Sequence, residues 1–246
     1  MGKEHFIAWI LVLSLIYLND IEAQSVKQDE DIHIVFDNIV GEEISGLYNG
    51  IQYANEFIVL DDKHQFLDTS NFVKGFVSYD GQEHYGVFAK YDLYLDELII
   101  RPLNASDGLA FLLIKSLVDG FSLNGKSFVN VRAFNQKTGE PFGYCQLLSE
   151  SKFFSLYKKS NKKPSKKAKT GKIFYEFNQS SVFYLEYDGE YYHATTRNEL
   201  ISIFPEYKDI IKDYYKGFKQ LQKSEPDNFM KLLMARLKEL LQSKTT

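Results

Sequence analysis

Short runs of alternating apolar and polar residues, parted by turn dipeptides, fill the chain from about residue 46 to residue 194. Asp80-Gly81 parts residues 73–79 from 82–91, Asn124-Gly125 parts 119–123 from 126–132, and Asp188-Gly189 parts 182–187 from 190–194. Asp-Gly and Asn-Gly accept the positive φ angles of a type I′ turn at little cost, so each predicts a β-hairpin. Further strands are expected at 46–53, 57–60, 110–115, 143–149 and 153–158. Over residues 91–100 the alternation is regular, with Leu93, Leu95, Glu97 and Ile99 on one face. That register puts Asp92 and Asp96 on the other face as solvent-facing charges. It also leaves Glu97 among apolar neighbours, where it needs a buried partner or a bulge that turns it outward.

Beyond residue 194 the period changes. Thr196 and Glu199 have the spacing of a capping box at a helix start, with a short helix expected to Phe204. Pro205 suits the first turn of a second helix reaching about Leu221. A third is expected after Ser224, with Phe229, Leu232, Leu233, Leu237, Leu240 and Leu241 at helical spacing. The pattern predicts a mainly β fold, an antiparallel meander built as a sandwich, roll or partly open barrel, followed by a C-terminal α-helical segment. An apolar stripe of Ile210, Ile211, Tyr214, Phe218, Leu232, Leu233, Leu237 and Leu240 would be costly to expose. The helices are therefore expected to dock on the β-body; the last could instead receive a protein partner.

Composition adds an address. Lys3 and the free amine precede an uncharged run over residues 6–18, which as a helix covers only about 20 Å. That is short of a bilayer core, and the run ends before a small residue, Ala23. Residues 1–23 are read as a cleavable secretory signal, cut after Ala23, which places the protein outside the cytoplasm, in the periplasm or secreted. The β-rich domain is then 24–194 and the helical segment 195–246. Cys145 is the only thiol, so no internal disulfide can form.

Charge is uneven along the chain. Residues 24–107 carry 16 acids and 5 bases, whereas residues 108–246 carry 14 acids and 23 bases. Nine lysines and no acid occur between Lys152 and Lys172. With Pro164 and Gly171 inside and few apolar residues, the stretch from about 158 to 172 is read as a solvated loop whose charges keep it mobile. Lys158, Lys159, Lys162, Lys163, Lys166, Lys167 and Lys169 are its candidate contacts to polyanions, above all an anionic envelope surface. Export argues against nucleic acid as the partner.

The order of several motifs resembles a family of secreted bacterial β-rich proteins. They are Asn49-Gly50-Ile51-Gln52-Tyr53, Lys74-Gly75-Phe76-Val77-Ser78-Tyr79-Asp80-Gly81, Lys90-Tyr91-Asp92-Leu93-Tyr94 and Asp96-Glu97-Leu98. Val118-Asp119-Gly120-Phe121, Gly143-Tyr144-Cys145-Gln146-Leu147-Leu148 and Phe204-Pro205 before a Lys-rich helix continue the order. Where that family often reads Gly-His-Pro-Phe, this chain has Lys63-His64-Gln65-Phe66. The resemblance implies secretion, a β-rich body and a helical end; it implies no activity, cofactor or catalytic residue.

Chemistry-bearing motifs are sparse. His33, His64, His84 and His193 form no His-x-x-x-His pair and no Cys/His cluster, and no metal ligand set is assigned. Asp61 and Asp62 with His64 and Asp68 could gather round a cation only if a loop folded back. No nucleophile motif or phosphate-cradling glycine loop occurs, so no catalytic or cofactor residue is assigned. The expectation is a non-catalytic, extracytoplasmic binding or envelope-associated protein. A hydrolase of envelope polymers or a carrier of an apolar ligand are the alternatives.

Overall fold

At each of the three dipeptides the backbone turns with both residues at positive φ: Asp80 and Gly81 at 50° and 73°, Asn124 and Gly125 at 51° and 71°, Asp188 and Gly189 at 53° and 76°. These are type I′ hairpins, whose twist matches that of the strands they join. A computed structural model describes residues 46–59, 62–102, 109–135, 139–169 and 171–245. The signal segment 1–23, its cleavage after Ala23, His33 and Asp61 lie outside the described residues.

Among the described residues eleven strands form one open antiparallel sheet: β1 (Ile51–Gln52), β2 (Val73–Tyr79), β3 (Gln82–Asp92), β4 (Glu97–Arg101), β5 (Phe111–Leu112), β6 (Val118–Leu123), β7 (Lys126–Phe134), β8 (Pro141–Glu150), β9 (Phe154–Lys169), β10 (Lys172–Tyr187) and β11 (Glu190–His193). Their order is β1-β5-β4-β3-β2-β6-β7-β8-β9-β10-β11, so β2 meets β6 directly. Four helices follow: α1 (Arg197–Ile203), α2 (Lys208–Gly217), α3 (Lys219–Ser224) and α4 (Pro226–Thr245). The Thr196–Glu199 capping box forms reciprocally at the start of α1.

The first core gathers Tyr91, Leu98, Ile100, Phe121, Phe128 and Tyr144 from β3, β4 and β6 to β8. The second joins the helices to the sheet. Phe229, Met230, Leu233, Met234 and Leu237 of α4 pack with Phe154, Leu156, Phe183 and Leu185 of β9 and β10. The helices are docked, but α4 is turned from the expected stripe. Met230 and Met234 are buried, while Leu232 is 47% exposed. Ile210 and Phe218 also face outward.

Two expectations are corrected. Residues 91–100 are not one strand: β3 ends at Asp92, a four-residue turn follows, and β4 starts at Glu97, opposite Asp92. The second correction concerns the lysine stretch, which is no loop. Residues Lys158 to Lys169 lie in β9, in unbroken register with β10 from Phe154 opposite Tyr187 to Lys169 opposite Lys172. The physical reason lies in β10. Its Ile173-Phe174-Tyr175-Glu176-Phe177 run has high strand propensity and no turn residue, so it needs a partner of equal length. Expected strands at 46–53 and 57–60 shrink to β1 and a single bridge between Val59 and Tyr175.

Candidate functional site

The β9–β10 hairpin extends past β8, whose pairing with β9 stops at Lys158. Both edges of the extension are occupied. On the β9 side the Lys162 amide donates to Leu93 O at 3.2 Å, from the β3–β4 turn. On the β10 side the amides of Tyr175 and Phe177 donate to Ile58 O and Lys63 O, each at 2.9 Å. An extended lysine strand is thus held by backbone bonds on both flanks, which the mutual repulsion of its side chains does not break.

Strand alternation and register sort the lysines. Lys158, Lys162 and Lys166 share a face with Phe183, Gln179 and Tyr175, their partners on β10. This face meets the body. Phe57 sets its ring edge-on against Tyr175 and Phe177, with centroids 5.0 and 5.2 Å away. Lys158 Nζ donates to Asp227 Oδ2 at 2.7 Å. Lys162 Nζ donates to His64 O at 2.8 Å and Phe66 O at 2.6 Å. Burial draws the Lys162 ammonium below its ordinary pKa, against the pull of Asp68 and Asp92.

The opposite face carries Lys159, Lys163, Lys167 and Lys169, with Phe174 and Lys172 across from the last two. Lys159 is engaged: its Nζ lies 2.7 Å from Asp96 Oδ1 and donates to Tyr144 O at 3.0 Å. Lys163, Lys167, Lys169 and Lys172 are exposed, as is Lys166 on the other face. Among the described residues the acid nearest to these charges is Glu176, 4.0 Å from Lys167 Nζ and 3.1 Å from Lys63 Nζ. Of seven candidate lysines, three are therefore tied into the body and four are presented to solvent. Lys172 extends the row, while Ile173, 57% exposed, pairs with Ala168 and lies on the other face with Lys166. Ile173 was legible only once β10 had a register.

Asp92, Asp96 and Glu97 lie at the root of this arm. Asp96 sits in the turn at φ 58° and holds two partners besides Lys159. Tyr91 Oη donates to its Oδ1 at 2.5 Å, and Lys115 Nζ donates to its Oδ2 and its backbone O, each at 2.7 Å. Gly143, at φ 67°, passes so close that a Cβ there would come within 2.1 Å of Asp96 Oδ2. Asp92 is not a solvent-facing charge but 0% exposed, its Oδ1 accepting from the amides of Tyr94 at 2.8 Å and Leu95 at 3.0 Å. Burial raises its pKa, opposed by those two amides and then by Lys90 and Lys162. Glu97 is half-buried, and burial raises it while Lys115 pulls the other way. These acids fasten the β3–β4 turn to β8, β9 and the turn at 115–117.

Elsewhere, His64 is buried and its Nδ1 accepts from the Phe66 amide at 3.1 Å, while Asp68 pairs with Lys126 at 2.6 Å. Among the described residues no group of His, Cys, Asp and Glu is arranged to hold a metal ion. Burial pushes the Cys145 thiol up to about 12, so it is not a ready thiolate. No helix among the described residues is long and apolar enough to cross a membrane. No protein-family description, curated protein or solved structure matches the chain.

Proposed function

We propose that the protein is an exported, non-catalytic binding protein that docks on an anionic, phosphate-bearing lipid surface through the β9–β10 arm. The observation that carries this reading is the solvent face of the arm. It is a strand row of Lys163, Lys167, Lys169 and Lys172. A lysine near an anionic leaflet contributes about 1 kcal/mol. The secretory pattern of residues 1–23 supports an envelope membrane as the surface. Nucleic acid would be met only outside the cell. The C-terminal helices carry exposed charges, including the Arg236–Glu239 pair at 2.9 Å, that suit a protein partner.

Sedimentation with vesicles tests the reading. The chain is expected to partition onto vesicles containing phosphatidylglycerol and not onto phosphatidylcholine alone, with binding that weakens as salt rises. Replacing Lys163, Lys167 and Lys169 by Gln should lower the partition roughly 100-fold, from three contributions of ~1 kcal/mol. Equal binding to both vesicle types, an unaffected triple variant, or retention on nucleic acid alone would overturn the proposal.

A further inference from the structure

Residues 57–59 run beside β10: Val59 bridges Tyr175 in parallel, and Ile58 O accepts the Tyr175 amide at 2.9 Å. Bridged residues point to the same face of a sheet, and successive residues alternate between faces. Val59 and Phe57 therefore share the face of Tyr175 and Phe177, where the Phe57 ring meets both. Ile58, between them, points the other way, to the face of the lysine row, and is 63% exposed. On β10 that same face carries Phe174, half-buried, with Lys172 and Glu176 two residues to either side. Lys167 stands opposite Phe174 on β9, and Ile58 flanks it on the other side. Among the described residues neither Ile58 nor Phe174 joins any of the four core clusters. Glu176, the acid of this face of the arm, is held by Lys63 at 3.1 Å.

An apolar pair bordered by lysines gains free energy where an anionic headgroup layer lies over hydrocarbon. A soluble polyanion would meet the lysines and leave the pair in water. We infer that Ile58 and Phe174 insert at the headgroup–acyl boundary of a lipid bilayer, while Lys167, Lys169 and Lys172 reach from around them to the phosphates. Long lysine stems allow this, since they lie along apolar surface and keep the ammonium at the polar layer. The inference rests on docking of the β9–β10 arm on anionic lipid. It adds an apolar anchor and an orientation, with the lysine face against the bilayer and the Tyr175 face turned away.

Vesicle sedimentation of the whole chain tests the anchor. Ile58→Ser and Phe174→Ser should each lower partition onto phosphatidylglycerol vesicles about tenfold, the loss expected when a large apolar side chain is no longer buried. The dependence on salt should stay that of wild type, because neither change removes a charge. Orientation is read with an environment-sensitive dye on Ile58→Cys and, in a second variant, on Ile173→Cys; Cys145, the only native thiol, is 1% exposed and escapes labelling. On these vesicles the dye at residue 58 should shift to shorter wavelength and be quenched by spin labels on the acyl chains. The dye at residue 173, on the opposite face, should keep its aqueous emission. The exposed Ile58 site and the two dyes decide the matter if Phe174→Ser fails to fold. Salt-sensitive partition with Ile58→Ser at wild-type strength, or a dye at residue 58 that stays in water, would overturn insertion and leave electrostatic docking standing. No partition of the wild-type chain would overturn both.

Discussion

At the residue scale, Asp92 shows how one turn rewrites the meaning of a charge. On a regular strand it would face water with Asp96. The chain instead breaks at Leu93, and the Asp92 carboxylate turns inward to receive the amides of Tyr94 and Leu95. Its other oxygen has no hydrogen-bond partner, and Lys90 and Lys162 offset the buried charge. Because the folded carboxyl has a raised pKa, the native state binds more protons than the unfolded one above an unfolded value of ~3.9. This group's contribution is therefore full at low pH and falls as pH rises through that value to the folded one. Asp92→Asn should flatten that decline while keeping the Oδ1 acceptor. Asp92→Ala, which leaves two turn amides unpartnered, should cost about 1–3 kcal/mol at pH 7. Denaturant melts of both variants between pH 4 and 8, at the steps the buffers allow, check this; a wild-type slope in Asp92→Asn would contradict it. Sequence alternation could not reveal the break, since Leu93 and Leu95 satisfy a strand pattern as well as a turn. The one local sign was Glu97, whose position among apolar residues did not fit an unbroken strand.

At the scale of elements, the arm carries the sharpest contrast between pattern and structure. Its hairpin turns elsewhere were legible because Asp-Gly and Asn-Gly leave few backbone choices. The lysine strand was not, because its order comes from outside the segment. It comes from the aromatic run of β10, the backbone carbonyls of Ile58 and Lys63 and the β3–β4 turn. Electrostatic repulsion and chain entropy argue for a mobile loop only while such partners are out of view. Four exposed lysines of the candidate site were identifiable by composition. Their separation from Lys158, Lys159 and Lys162, however, depends on strand parity and on the acids at the root. The same contacts set a consequence. Deleting residues 161–169 removes the Lys162 bonds to His64 and Phe66 and strips β10 of its partner opposite Tyr175 and Phe177. The deletion should lower the melting temperature by well over 5 °C, given ~2–4 °C per kcal/mol for a chain of this size. It should also speed amide exchange in residues 57–59 and 62–66. A shift of a degree or two with unchanged exchange would return the segment to the status of a loop.

On the scale of the whole molecule, an open sheet of eleven strands needs cover, and the helices supply it over β9 and β10. Capping and period foretold helices at the C-terminus, and the cost of exposing a long apolar stripe foretold docking. Which face docks was beyond the pattern, because α4 holds apolar residues over more than one face and both Leu232 and Leu233 fit a helical stripe. The sheet decides: Phe154, Leu156, Phe183 and Leu185 present a surface that receives Phe229, Met230, Leu233, Met234 and Leu237. Neighbouring leucines thus become a test of the docked register. Leu233 is 0% exposed and Leu232 47% exposed. Truncating Leu233 removes a buried side chain and leaves a cavity between helix and sheet, so Leu233→Ala should cost about 2–5 kcal/mol. Leu232→Ala should stay within about 0.5 kcal/mol, as for surface sites. Equal losses in the two variants would mean that α4 sits on the sheet by another face. Neither variant losing stability, with Leu233→Ala instead changing the state of association, would make α4 an arm for a partner and leave β9 and β10 covered by something else.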